Sequence, residues 1–307
     1  AIFLLGPLVF FLSWPWLWPE PLTRLSEYIA FHLHHPFHPT WYFGRVYSDP
    51  PAPWHYAPVM LAITTPPVTL LFGLLGIGVS VLRRDRIGML FLLQIVFAIL
   101  PVALPSTPAY DGVRLFMAAP LFLAALSGIG FEAFLRVALQ SRICRRLPAM
   151  IRGKERLPWV ILGVSLLPAL FEVIAVDPYQ LSYFNLLIGG ERGALAAGME
   201  STFWGEANNR RVLTYLNEVL PPGAALDTNS ETYTTFPEYQ RVGWLRADIT
   251  FRPNAPFWVL SCQQGYSGPW WWRLYRGEDP RYETMKTFTF RGVPLVKVFR
   301  RRDGQRR

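Results

Sequence analysis

Charge is scarce in this chain: 17% of its 307 residues are Asp, Glu, Lys or Arg, against about 25% in an ordinary soluble domain. With 51% of residues hydrophobic, a membrane protein is the first expectation. Cysteine is almost absent. Cys144 and Cys262 are too few and too differently placed for a disulfide framework or a thiolate metal site. The apolar run that opens at Ala1 carries no basic n-region and no small-residue cleavage site. It is therefore not read as a signal peptide, and the chain is expected to be a fragment of a longer one. No internal repeat or low-complexity segment stands out. The apolar segments also lack an amphipathic stripe, which argues against a soluble all-helical core.

What is present is length of apolar run. A bilayer core takes about 18 to 25 mostly apolar residues as a helix, because each backbone amide needs its partner within the segment. Five stretches qualify: Ala1 to Trp18, Pro58 to Leu82, Ile87 to Leu104, Leu115 to Leu135 and Pro158 to Val176. Their orientation follows from the arginines. Arg83, Arg84 and Arg86 share one side with Arg136, Arg142, Arg145, Arg146, Arg152, Lys154 and Arg156, whereas the opposite short loops offer Arg24, Arg45 and Arg114. The arginine-rich side is cytoplasmic by the positive-inside rule. A multi-pass protein of the cytoplasmic (inner) membrane is expected, with Pro19 to Ala57, Pro105 to Arg114 and everything after Val176 outside. The +9 net charge and the basic tail Arg300 to Arg307 then fit lipid headgroups, not nucleic acid.

After Val176 the composition changes. Glu206 to Leu220 places Val212, Leu213, Leu216, Val219 and Leu220 on one helical face and stops at Pro221, Pro222 and Gly223. Phe257 to Ser261, Thr284 to Phe290 and Pro294 to Arg300 read as strands. The expected fold is mainly α: a polytopic helix bundle over residues 1–176, followed by a small extracytoplasmic α/β domain over 177–307.

Three outside segments carry the residues with chemistry. In the first, Phe31 to Pro58, the imidazoles His32, His34, His35 and His38 are competent metal ligands at short spacing, though in no standard zinc pattern. A divalent metal is the one cofactor the residues leave open, and hydrogen-bonded loop histidines are the alternative. The same segment holds Trp41, Tyr42, Tyr47, Trp54 and Tyr56, either an interfacial belt or a stacking platform. In the second, Pro105 to Phe116, Asp111 and Arg114 lie three apart at a helix entry. They form either a guanidinium site for a lipid phosphate or a local ion pair. In the third, VDPYQLSYFNLLIGGERGA, Tyr179 and Tyr183 are one helical turn apart and can share a face, with the amides of Gln180 and Asn185 nearby. This stretch either contacts substrate or clamps the outside domain to the membrane domain. Glu172 just before it is a functional candidate because it ionises inside an apolar span. Glu132 and Arg136 read as a surface pair.

These segments resemble a known family. DPYQLSYFNLLIGGERGA, then MESTFWGEANNRRVLTYLNEVLPPG, is similar to the region after the last membrane helix in bacterial relatives of the family 39 glycosyltransferases, the protein O-mannosyltransferase and aminoarabinose transferase superfamily. GRVYSDPPAPWHYAP and YDGVRLF resemble two further motifs of that group. The resemblance implies a membrane glycosyltransferase of the cell envelope that moves a hexose or pentose from a polyprenyl-phosphate carrier to a lipid, glycan or protein acceptor outside. It implies Arg114 and Arg45 for the lipid phosphate and Tyr47, Trp54, Tyr56, Tyr183 and Asn185 for sugar or acceptor. The family's general base lies in an upstream loop that this sequence does not contain, so this chain alone is expected to be inactive. Asp111 is the best candidate base among the residues here, ahead of Asp49 and Glu172. Two positions depart from the pattern: Thr64 stands where the family often has Lys, and Asp177 where it often has His. A transporter or flippase, or a non-catalytic membrane anchor, are the competing readings.

Overall fold

The computed structural model describes residues 2–33, 36–105, 107–140, 156–228 and 232–302. Contacts divide the chain into two units, Ala1–His38 and Pro39–Arg307. In the first, α1 (Ile2–Ser13) and α2 (Pro21–Leu33) flank a short turn at Pro15–Leu17. Pro15 cannot continue the hydrogen-bond ladder. The Trp18 indole folds back to donate to the Phe11 carbonyl at 2.9 Å. The first expected span is thus helical only to Ser13, a rise of about 18 Å at 1.5 Å per residue.

The second unit opens with a hairpin, β1 (Thr40–Tyr42) and β2 (Arg45–Tyr47), and continues through α3 (Tyr56–Thr64), α4 (Pro67–Arg83), α5 (Arg86–Ile99), α6 (Ala118–Gln140) and α7 (Arg156–Ala175). Among the described residues, three helices are long and apolar enough to cross a membrane: Arg86–Ala103, Ala118–Gln140 and Arg156–Ala175. The run Pro58 to Leu82, expected as one span, is two helices. Pro66 forces Thr65 into extended backbone, φ −87° and ψ 135°. The Arg84–Asp85 turn is tight because Asp85 caps α5, accepting from the Ile87 and Gly88 amides at 3.3 and 3.0 Å.

Glycine sets the crossing of α4 and α6. A Cβ on Gly76 would stand 1.9 Å from the Leu126 carbonyl oxygen, and one on Gly130 1.9 Å from that of Phe72. The two backbones therefore touch, as small residues permit where no apolar-transfer force drives helices together in lipid. Glu132 and Arg136 do pair on the surface of α6, at 2.5 Å.

Beyond α7 come α8 (Gly190–Ala196), α9 (Arg210–Val219), β3 (Ala225–Thr228), α10 (Thr232–Arg241), β4 (Thr250–Phe251), β5 (Phe257–Ser261), α11 (Pro269–Arg276), β6 (Tyr282–Phe290) and β7 (Val293–Arg301). The five strands form one sheet in the order β4-β3-β5-β7-β6. β3 is parallel to β4 and β5, and β7 antiparallel to β5 and β6. The face of α9 expected to be apolar is buried at Val212, Leu213 and Leu216, in one core with Leu226, Val259, Val296 and Val298 of the sheet. The helix starts at Arg210, not Glu206, because the Asn209 side chain caps it by accepting from the Arg211 amide at 3.0 Å. The three expected strands are present. β3 and β4 were not expected, since β3 is only four residues, all buried, and shows no alternation.

Candidate functional site

Parts of two of the motif segments, with the helix break and the FWG stretch, line a single cleft of about 430 Å³ in the second unit. One wall is the break between α3 and α4, at Thr64, Thr65 and Pro66. A second is Asp111 to Arg114, and a third joins Gln180, Leu181 and Tyr183 to Phe203 and Trp204.

The geometry of the second wall follows from its turn. Asp111 and Gly112 both take left-handed backbone, φ 56° and 66°. This turns the Gly112 amide onto the buried Tyr56 hydroxyl, which accepts from it at 2.9 Å. The Asp111 carboxylate is thereby aimed across the cleft. Its Oδ2 accepts from the Trp204 indole at 2.6 Å and from the Arg114 guanidinium at 3.2 Å. Arg114 lies over the Trp204 ring, 4.6 Å from its centroid, in cation–π range. The Arg114 side chain is nonetheless 46% exposed, and that of Asp111 only 9%. Asp111 is thus an orienting acceptor, and Arg114 retains donors facing the cleft. Trp204, itself left-handed at φ 55°, is 38% exposed and offers a polar-edged aromatic surface.

Tyr183 sits at the edge of this cleft and also lines a second, apolar cavity of about 230 Å³ with Pro168, Glu172, Asn185 and Arg291. Burial, with Glu172 and Glu191 adding to it, pushes the Tyr183 phenol up to about 12, so it stays a proton donor at neutral pH. Asn185 has a different role. It is 1% exposed, and its amide donates to the Ala62 and Thr65 carbonyls at 2.7 and 2.6 Å. Its backbone amide reaches the Ile63 carbonyl at 2.8 Å, and its Oδ1 accepts from the Leu187 amide at 2.9 Å. One residue therefore occupies three carbonyls at the helix break, two through its side chain and one through its backbone amide. On the far side, Arg291 at the tip of the β6–β7 hairpin bridges Glu172 at 2.9 Å and Glu191 at 3.2 Å. Glu172 is thus an ion-pair partner.

Other expected site residues lie elsewhere. Tyr179 and Tyr183 do not share a face, because a 3-10 turn at Gln180–Ser182 replaces the helix. Tyr179 is buried in the sheet core, 5.2 Å from the Phe290 ring. Arg45 is exposed on β2, Trp54 is exposed beside His55, Tyr47 packs against the helix core, and Asp49 is exposed; none lines the cleft. Tyr56 supports the cleft from behind. His32 donates from Nδ1 to the Tyr28 carbonyl at 2.8 Å. His38 is half-buried, while His34, His35, Cys144, the arginines and lysine of 141–155 and the tail 303–307 lie outside the described residues. Among the described residues no three His, Cys, Asp or Glu side chains group as metal ligands. Trp204 and Glu206 were missed as site residues, although FWGE stood inside a quoted motif; a Trp-Gly turn next to an acid was the available signal. No family model, curated protein or solved structure matches the chain.

Proposed function

We propose that the chain forms part of a membrane glycosyltransferase that moves a sugar from a polyprenyl phosphate to an extracytoplasmic acceptor, with the cleft at Arg114 as its donor site. The observation that carries this reading is Arg114: oriented by Asp111 and Trp204, half-exposed, in a cleft bordered by apolar helices. A leaving lipid phosphate gains negative charge, and a pre-oriented guanidinium stabilises that charge without reorganising. Trp204 and Tyr183 present ring faces and polar edges to a sugar, while the Asn185 amide is committed to backbone. Asp111, already accepting from two donors, serves orientation better than proton removal.

In this reading five spans cross the inner membrane, α4 to α7 among them. The cleft and the sheet domain face outside. The test is transfer of labelled sugar from polyprenyl-phosphate donors by the natural full-length polypeptide. Arg114→Ala should lower transfer by about 10²-fold or more, and dependence on a sugar nucleotide instead would overturn the reading.

One observation favours a second reading. The helix break at Thr65–Pro66 lines the cleft, as discontinuous helices do in transporters. Movement of a lipid-linked sugar across proteoliposomes without bond formation would select it.

A further inference from the structure

We propose that Glu206 is a positioning residue that ties together the two chain segments of the third cleft wall, and that loss of its proton loosens the tie. The proposal rests on the donor-site reading for its consequence, but the tie itself is geometric. Phe203 and Trp204, just before Glu206 in the chain, line the cleft; so do Leu181 and Tyr183, the two neighbours of Ser182. Glu206 joins these segments: its Oε1 accepts from the Ser182 hydroxyl at 2.8 Å, and its backbone amide closes the Trp204–Gly205 turn by donating to the Phe203 carbonyl at 3.1 Å. Ser182 is itself buried at 1% exposure. The Leu181 amide also faces the carboxyl, and the buried Thr202 hydroxyl lies beside it without a hydrogen bond.

None of these neighbours is ionisable, and among the described residues Glu206 enters no ion pair. Burial favours the neutral form of a carboxyl placed there, against the Ser182 hydrogen bond and the polar groups that face it, and its pKa is raised to about 7. The sign follows from linkage. The tied state holds its proton more tightly than an opened, hydrated one, so tying is favoured at low pH. It weakens as pH rises from the ordinary carboxylate range to about 7. The released proton goes to solvent, and the carboxylate gains water where the joint opens.

The test uses the natural full-length protein in lipid nanodiscs without donor. Amide hydrogen exchange is followed for peptides covering Gln180 to Tyr183 and Ser201 to Glu206, corrected for the intrinsic pH dependence of exchange. In the wild type, protection of both segments should fall together by about tenfold or more between pH 5 and pH 8. Glu206→Gln should keep protection flat across that range. Ser182→Ala, which removes a donor to the carboxylate, should move the midpoint upward. A flat wild-type profile, or an unchanged slope in Glu206→Gln, overturns the proposal. Transfer assays on the same preparations separate the two readings. A pH-dependent joint without transfer leaves the tie standing and removes the transferase. Transfer with a flat joint removes the tie alone.

Discussion

Arg114 and Arg291 are two arginines on either side of Tyr183 with opposite fates. Arg114 meets one carboxylate and an indole face, and nearly half of its side chain stays exposed. Arg291 meets two carboxylates, one of them on the almost fully buried Glu191, and is 32% exposed. The first guanidinium keeps donors to spare, whereas the second spends its terminal nitrogens on Glu172 and Glu191, with the Arg192 guanidinium donating to the Arg291 carbonyl beside it at 2.9 Å. In the proposed donor-site reading, an incoming phosphate finds free donors at the first and few at the second. The difference teaches that an arginine at a cavity can serve as a binding group only when its donors are not already spent on acid partners.

The comparison breaks most visibly at Arg114. Arg114→Ala should lower transfer by about 10²-fold or more, as removal of an oriented charge donor does, with little change in Tm. Loss of stability without loss of turnover per folded molecule would place Arg114 with Arg291. Asn185→Ala tests the partition between them. It strands the Ala62 and Thr65 carbonyls and the Leu187 amide, and should cost about 3 kcal/mol of stability, read as a lowered melting temperature. Arg291→Ala should cost about 2 kcal/mol, below the value for a fully buried pair because water reaches part of the cluster. Transfer per folded molecule should stay unchanged, and a loss of transfer like that of Arg114→Ala would erase the contrast. Smallest is Trp204→Phe, which keeps a ring beneath Arg114 but removes the donor to Asp111. About 1 kcal/mol, or several-fold in transfer, is expected, measured as kcat/KM for the donor.

Legibility in the sequence varied by element. α5, α6 and α7 were readable because an unbroken apolar run of sufficient length has few other solutions in a bilayer. α9 and the β6–β7 hairpin were readable from their period and turn residues. The break at Thr65–Pro66 was hidden within an apolar run, since hydropathy does not register the backbone restriction ahead of proline. Arg114 and Tyr183 were named from their residue types and meet at the cleft. Asn185 was named as a contact or a clamp, and it spends its amide on the helix end. Glu172 attracted notice as an acid in an apolar span, yet its partner is 119 residues away, a separation that local pattern cannot see.

By itself the sequence determined the solvent and the periods: apolar runs matched to a bilayer, an amphipathic helix and a terminal hairpin, all consequences of side-chain order along the chain. Only the tertiary structure decided which polar groups are spent on the fold and which remain for a ligand. Burial and hydrogen bonding are shared between residues distant in sequence, so whether a guanidinium or an amide is free depends on partners that the local chain does not name.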